Sequence, residues 1–210
     1  MGVSIHYRGR LDSLDRLPVF CEKLMSIASS MGWQCRILDD DSSVPANPVL
    51  DHSGVIAEIK GHLGLKGIQL KPPGESESLD FFFDSKGYLF SPLNVILVQE
   101  GVLALDQAWI SVKTQFLSAE MHVMIIGLLK YIKEHHLPNL EVKDEGEYWE
   151  TGDYRALEDK MRLIKGKIDY LSGELSSEYS GGMAGLSADE IAARIERLFH
   201  AEDVKSKYDN

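Results

Sequence analysis

The stretch Val3-Ser4-Ile5-His6-Tyr7-Arg8-Gly9-Arg10-Leu11 decides the reading of the fold. Ile5, Tyr7 and Leu11 alternate with His6, Arg8 and Arg10, and a period of two marks a strand with one apolar and one charged face. Asp12 or Ser13 is placed to cap a following helix, with Pro18 in its first turns, where a missing N–H is tolerated. Leu17, Phe20, Leu24, Ile27 and Met31 recur at three- and four-residue spacing, the stripe of a helix facing a core. Gly32 ends that helix, and Trp33 to Leu38 read as a second strand. Cys35 and Ile37 share one face of it, so Cys35 is expected to be buried against the helix as a small, unreactive hydrophobe.

The same strand–helix–strand pattern returns at an ungapped offset of 105 residues. Ile5 aligns with Ile110, Tyr7 with Val112, Arg8 with Lys113, Ser13 with Ser118, Leu24 with Leu129, Cys35 with Leu140 and Asp39 with Asp144. The expectation is an internal duplication, because a one-residue slip would turn every inward side chain outward. Between the two units, Val55 to Lys60 and Gly67 to Lys71 read as strands. Phe81-Phe82-Phe83 and Tyr88-Leu89-Phe90 flank Asp84-Ser85-Lys86-Gly87 as a hairpin, with Gly87 free to take a positive φ. The fold class is therefore α+β: pseudo-twofold duplicated β-α-β units joined by antiparallel strands, with helices on one sheet face, over residues 1–150.

Residues 151–210 read as a helical appendage. Tyr154, Leu157, Met161, Ile164, Ile168, Leu171 and Leu175 form a narrow seam, the pattern of a helix paired with another helix. Ser176 to 186 is a Ser/Gly-rich link, and Ser187-Ala188-Asp189-Glu190 is a capping box for a last helix over 188–199. That closing helix is too short to cover the seam. The expectation is a homodimer through the C-terminal helix, with Ile164, Ile168 and Leu171 near its centre.

The chain of 210 residues has 22 Lys+Arg against 33 Asp+Glu, a net charge of −11, and 44% hydrophobic residues. That is a globular composition, and its acidity disfavours nucleic acid as a partner. No run approaches the ~18 apolar residues of a membrane span, so no membrane association is expected. Met1 to Arg10 lack the apolar centre of a signal peptide, and the two cysteines, Cys21 and Cys35, read as reduced thiols of a cytoplasmic protein.

No nucleophile elbow, phosphate loop, H-E-x-x-H or C-x-x-C occurs, so neither a catalytic residue nor a cofactor is assigned. Asp39, Asp41 and Ser43 match the first positions of a calcium loop, but Val44 and Leu50 stand where Gly and Glu are required, so no metal site is assigned. The acidic run Asp144, Glu145, Glu147, Glu150, Asp153 reads as a solvated loop that also caps the next helix. His122 beside Glu120 is an acid–base pair only if a cleft faces it. The most specific surface feature is a basic sheet face of His6, Arg8 and Arg10 with Lys113, Arg36 and Lys143. It suits a protein or a small anionic ligand, and it carries no aromatic side chain for base stacking. The functional expectation is a non-enzymatic binding or regulatory protein. The alternatives are a metal-assisted enzyme using the acidic loops or a nucleic-acid accessory protein using the basic face.

Overall fold

The computed structural model describes residues 2–40, 47–50, 56–60, 63–74, 76–176, 187, 189, 190 and 193. Two compact units divide the chain, one ending at Met161 and the other beginning at Arg162. The first is α+β, and every strand pair described is antiparallel.

The opening strand, β1 (Ser4–Arg8), is the centre of a three-stranded sheet between β8 (Ile110–Lys113) and β9 (Glu141–Asp144). The helix joining those two outer strands is α3 (Ala119–His135), whose first turn is capped by Ser118 Oγ on the Met121 N–H. Because β8 and β9 both run antiparallel to β1, they are parallel to each other with β1 inserted, a split β-α-β arrangement. Ile5 lies opposite Val112 and Tyr7 opposite Ile110. Val3, Ile5 and Tyr7 point into the core, as their alternation predicts.

After β1, Ser13 caps a 3-10 turn, Leu14–Arg16, which leads into α1 (Leu17–Ser30) with Pro18 at its start. Then β2 (Gln34–Asp39) enters a second sheet of order β2-β5-β6-β7, with β5 at Lys66–Lys71, β6 at Leu79–Phe83 and β7 at Leu89–Phe90. A separate pair, β3 (Asn47–Leu50) and β4 (Ile56–Lys60), lies between them in sequence. The strand–helix–strand order is thus the same in the two runs, but β2 lies beside β5 while β9 lies beside β1.

Placement of β2 overturns the expectation for Cys35, which is exposed, and Ile37 is half exposed as well. Their cross-strand partners Leu70 and Ile68 are fully buried on the same face. Alternation therefore fixed the face correctly. As the edge strand of its sheet, however, β2 is paired on one side only, and its inward face remains wet.

The three consecutive phenylalanines of β6 are all buried because its sheet is covered on both faces. Phe81 and Phe83 join the main core with Phe20 of α1, whose ring meets them edge-on at 6.0 and 5.6 Å. Phe82 belongs instead to a smaller cluster with Phe90, Ala108 and Val95, the last from α2 (Pro92–Gln99). The hairpin turn follows the sequence reading: Gly87 has φ 82°, and Asp84 Oδ1 accepts the N–H groups of Lys86 and Tyr88.

The short α4 (Tyr148–Thr151) precedes α5 (Tyr154–Ser176), whose start is capped by Asp153 Oδ1 on the Ala156 N–H. Leu157 and Met161, the first part of the seam, are buried within the first unit. Ile164 and Ile168 are half-buried, while the Leu171 side chain and most of 177–199 lie outside the described residues. The capping box is formed: Ser187 Oγ accepts the Glu190 N–H, and the Glu190 carboxylate accepts the Ser187 N–H at 2.7 Å. No helix among the described residues is long and apolar enough to cross a membrane.

Candidate functional site

Even-numbered residues of β1 point away from the core, and the register places their neighbours on the same face. His6 lies between Ser111 and Lys143, Arg8 beside Glu141, and Ser4 between Lys113 and the Glu145 turn. His6, Arg8, Lys113 and Lys143 therefore share one outward face. Arg36 does not join them, since β2 belongs to the other sheet. The face is also less basic than its cations suggest. Glu141 takes Arg8 in a two-pronged pair, Nε at 3.0 Å and Nη2 at 2.8 Å, and this hydrogen bonding holds its carboxyl below the usual range. Glu145 approaches His6 Nε2 at 3.6 Å.

The expectation that this face lacks aromatics is overturned. Trp109, at the entry to β8, lies 4.5 Å from the Arg8 guanidinium and 4.4 Å from Lys143 Nζ, measured to its ring centroid. Tyr88 lies 4.8 Å below the Arg10 guanidinium. Trp109 precedes β8 and falls outside the strands expected from the sequence, whereas Tyr88 belongs to the expected hairpin, which brings it to this face.

Beyond Arg8 the face opens into a groove of about 470 Å³. Leu89, Phe90, Leu105 and Ala108 supply its apolar surface; Arg8, Arg10, Asn139, Glu141 and Asp106 supply the polar edge. Arg10 is held in place from three sides. Asn139 Oδ1 accepts its N–H and Asn139 Nδ2 donates to its carbonyl, both at 2.9 Å. Its Nε donates to the Lys86 carbonyl at 3.0 Å, with Tyr88 under the guanidinium plane. Arg8 Nη1 donates to the Asp106 carbonyl, which ties the chain before β8 to the groove wall.

A second cluster is wholly buried. His122 of α3 contacts Thr114 Oγ1 through Nδ1 at 2.8 Å and Asp144 of β9 through Nε2 at 3.1 Å. Thr114 Oγ1 also lies 3.2 Å from the Val3 carbonyl, so its hydroxyl links the imidazole to the chain just before β1. Asp144 also accepts the N–H groups of Gly146 at 2.7 Å and Trp149 at 3.0 Å. Burial raises the Asp144 carboxyl, but the hydrogen bonds and charge of His122, with those two N–H groups, outweigh it, and the carboxyl lies below its ordinary value.

Asp144 is thus not the solvated acid expected of its run. Nor does Glu120 pair with His122: it accepts from Tyr154 O–H at 2.6 Å, which pushes that phenol up to about 12. The side chains of His122 and Asp144 have no exposed surface, so this Thr–His–Asp chain meets no substrate. The sequence did carry a signal for it, since His122 falls on the buried stripe of Ile125, Ile126 and Leu129. Among the described residues, no three His, Cys, Asp or Glu side chains gather where they could hold a metal ion. Asp41 and Ser43 of the calcium-loop comparison lie outside the described residues.

No protein-family model, no curated protein and no solved structure matches the chain.

Proposed function

We propose that the chain is a non-enzymatic binding protein whose ligand, an anion, sits on the outward face of the β8-β1-β9 sheet where it opens into the groove. The observation that carries this reading is Arg10, fixed at its backbone, its Nε and its guanidinium face, with its two terminal nitrogens turned to no partner among the described residues. Preorganisation of this kind removes the entropy of ordering a long side chain on binding. The test is an amide-NMR titration of the full chain with acetate and with inorganic phosphate. Shifts centred on Arg8–Arg10, Tyr88–Phe90 and Leu105–Ala108 are expected. Shifts centred elsewhere, or none, refute the reading.

Two structural proposals accompany it. The dimer through α5 rests on Ile164, Ile168 and Leu171, and the exposure of Leu163 on that helix supports it. With Leu157 and Met161 packed inside the first unit, the surface left for a partner begins beyond Met161. The internal duplication is supported by the strand–helix–strand order common to β1-α1-β2 and β8-α3-β9.

A further inference from the structure

The groove at the end of β1 selects a narrower ligand chemistry than anions in general. Its two guanidinium groups are not equivalent. Arg8 is fully engaged, with Nε and Nη2 on the Glu141 carboxylate and Nη1 on the Asp106 carbonyl. Arg10 is fixed but keeps Nη1 and Nη2 uncommitted, and a guanidinium in that state presents two N–H groups that match the two oxygens of one carboxylate.

The surroundings limit how much negative charge can enter. Glu141 and Asp106 both line the groove, on a chain of net charge −11. A polyphosphate or a nucleic-acid backbone would set several negative charges against these two carboxylates, with one uncommitted cation in the groove to meet them. A single carboxylate needs only that cation. The remaining surface, Leu89, Phe90, Leu105 and Ala108, asks for an apolar body, and about 470 Å³ lies within the range of small-molecule sites.

We propose that the groove binds a small amphipathic monocarboxylate, with its carboxylate on Nη1 and Nη2 of Arg10 and its aliphatic or aromatic body against Leu89, Phe90, Leu105 and Ala108. The inference rests on the reading of this face as an anion-binding surface and names the ligand class.

Calorimetric titration of the full chain with three probes tests it: 4-phenylbutyrate, its uncharged amide, and pyrophosphate. Phenylbutyrate is expected to bind one to one with a Kd on the order of 1 mM or below, and the other two about tenfold more weakly or worse. Arg10→Gln should bring phenylbutyrate down to the level of the amide, and Arg10→Lys, which keeps the charge but loses the fork, should recover part of the loss. Lys23→Gln, on the exposed side of α1 and outside the groove, should change nothing. Circular dichroism melts of all three variants check that they fold. Equal binding of acid and amide, or no effect of Arg10→Gln, overturns the inference. Pyrophosphate binding more tightly than phenylbutyrate, and depending on Arg10, overturns the monocarboxylate while leaving the anion-binding surface standing. No heat from either anion at about 10 mM overturns both.

Discussion

Replacing Asp144 with alanine removes the acceptor on which a buried network converges. Three donors lose their partner together: the Gly146 N–H, the Trp149 N–H and His122 Nε2. A buried donor left unsatisfied costs about 1–3 kcal/mol, and breaking one side of a buried ion pair about 3–5 kcal/mol. These figures describe the same groups from two directions and are not added, so the expected loss is about 4 kcal/mol. For a chain of this size that lowers Tm by roughly 8–16 °C. The assay is urea unfolding followed by circular dichroism, with wild type, Asp144→Ala, His122→Ala and the double variant forming a cycle. Because the singles each orphan the other partner, the double variant should lose clearly less than the sum of the two. The pH dependence follows from the direction of the shift. The Asp144 carboxyl is lower in the folded than in the unfolded chain, so its contribution is fully present above the unfolded carboxylate pKa. It is lost as pH falls through the lowered folded value, and Asp144→Asn should flatten that acid limb. A loss under about 1 kcal/mol for Asp144→Ala, or simple additivity in the cycle, would refute the network as described.

The two thiols should separate kinetically. Cys35 is exposed and should react with Ellman's reagent at pH 8 in a fast phase that Cys35→Ser removes; Cys21, pushed up to about 11 by burial, should lag far behind. Two fast thiols, or none, would contradict the packing of α1 and β2. Sedimentation at ~10 μM should show a dimer that Ile168→Asp dissociates, since burying an unpaired carboxylate costs several kcal/mol. A monomeric wild type under those conditions excludes the α5 interface.

What was legible in the sequence was whatever a local period encodes. Alternation over Val3–Leu11, the stripe from Leu17 to Met31 and the hairpin around Gly87 each report on their own neighbours, and each matches an element. Ser91-Pro92 before an apolar run is an equally local helix start, with Ser91 Oγ accepting the Asn94 N–H. What alternation cannot encode is which sheet a strand joins and how far the cover above it extends. Cys35 therefore had the right face and the wrong burial. His122 and Asp144 show the same gap: 22 residues separate a helical histidine from an acid at a strand end, and only the crossover from α3 to β9 brings them to 3.1 Å. The candidate groove was half legible for the same reason. Arg8 and Arg10 stood on a readable face, whereas Tyr88, Leu105 and Asn139 arrive from separate elements.

The position of the groove follows from the parity of β1. In an antiparallel strand, successive residues direct their N–H and C=O groups to opposite edges. Odd residues serve one edge: Val3 accepts from Thr114 after β8, while Gly9 accepts from Leu89 and Leu11 donates to Gly87 of the hairpin. That edge is therefore shared by two segments in succession, β8 along residues 4–7 and the hairpin arm Gly87–Leu89, leading into β7, along 9–11. Even residues serve the other edge, where Ser4 accepts from Glu145 and where the Asn139 amide supplies to Arg10 the donor and acceptor that a longer β9 would have given. Between the end of β7 and the start of β8 the chain leaves through α2 and returns through a 3-10 turn, Leu105–Gln107, which forms part of the groove wall. A single continuous partner strand would have filled this space with ladder hydrogen bonds. The change of partner at Arg8–Gly9 is what leaves it open, and it places the one arginine that has surrendered its backbone to a side-chain amide directly at the opening.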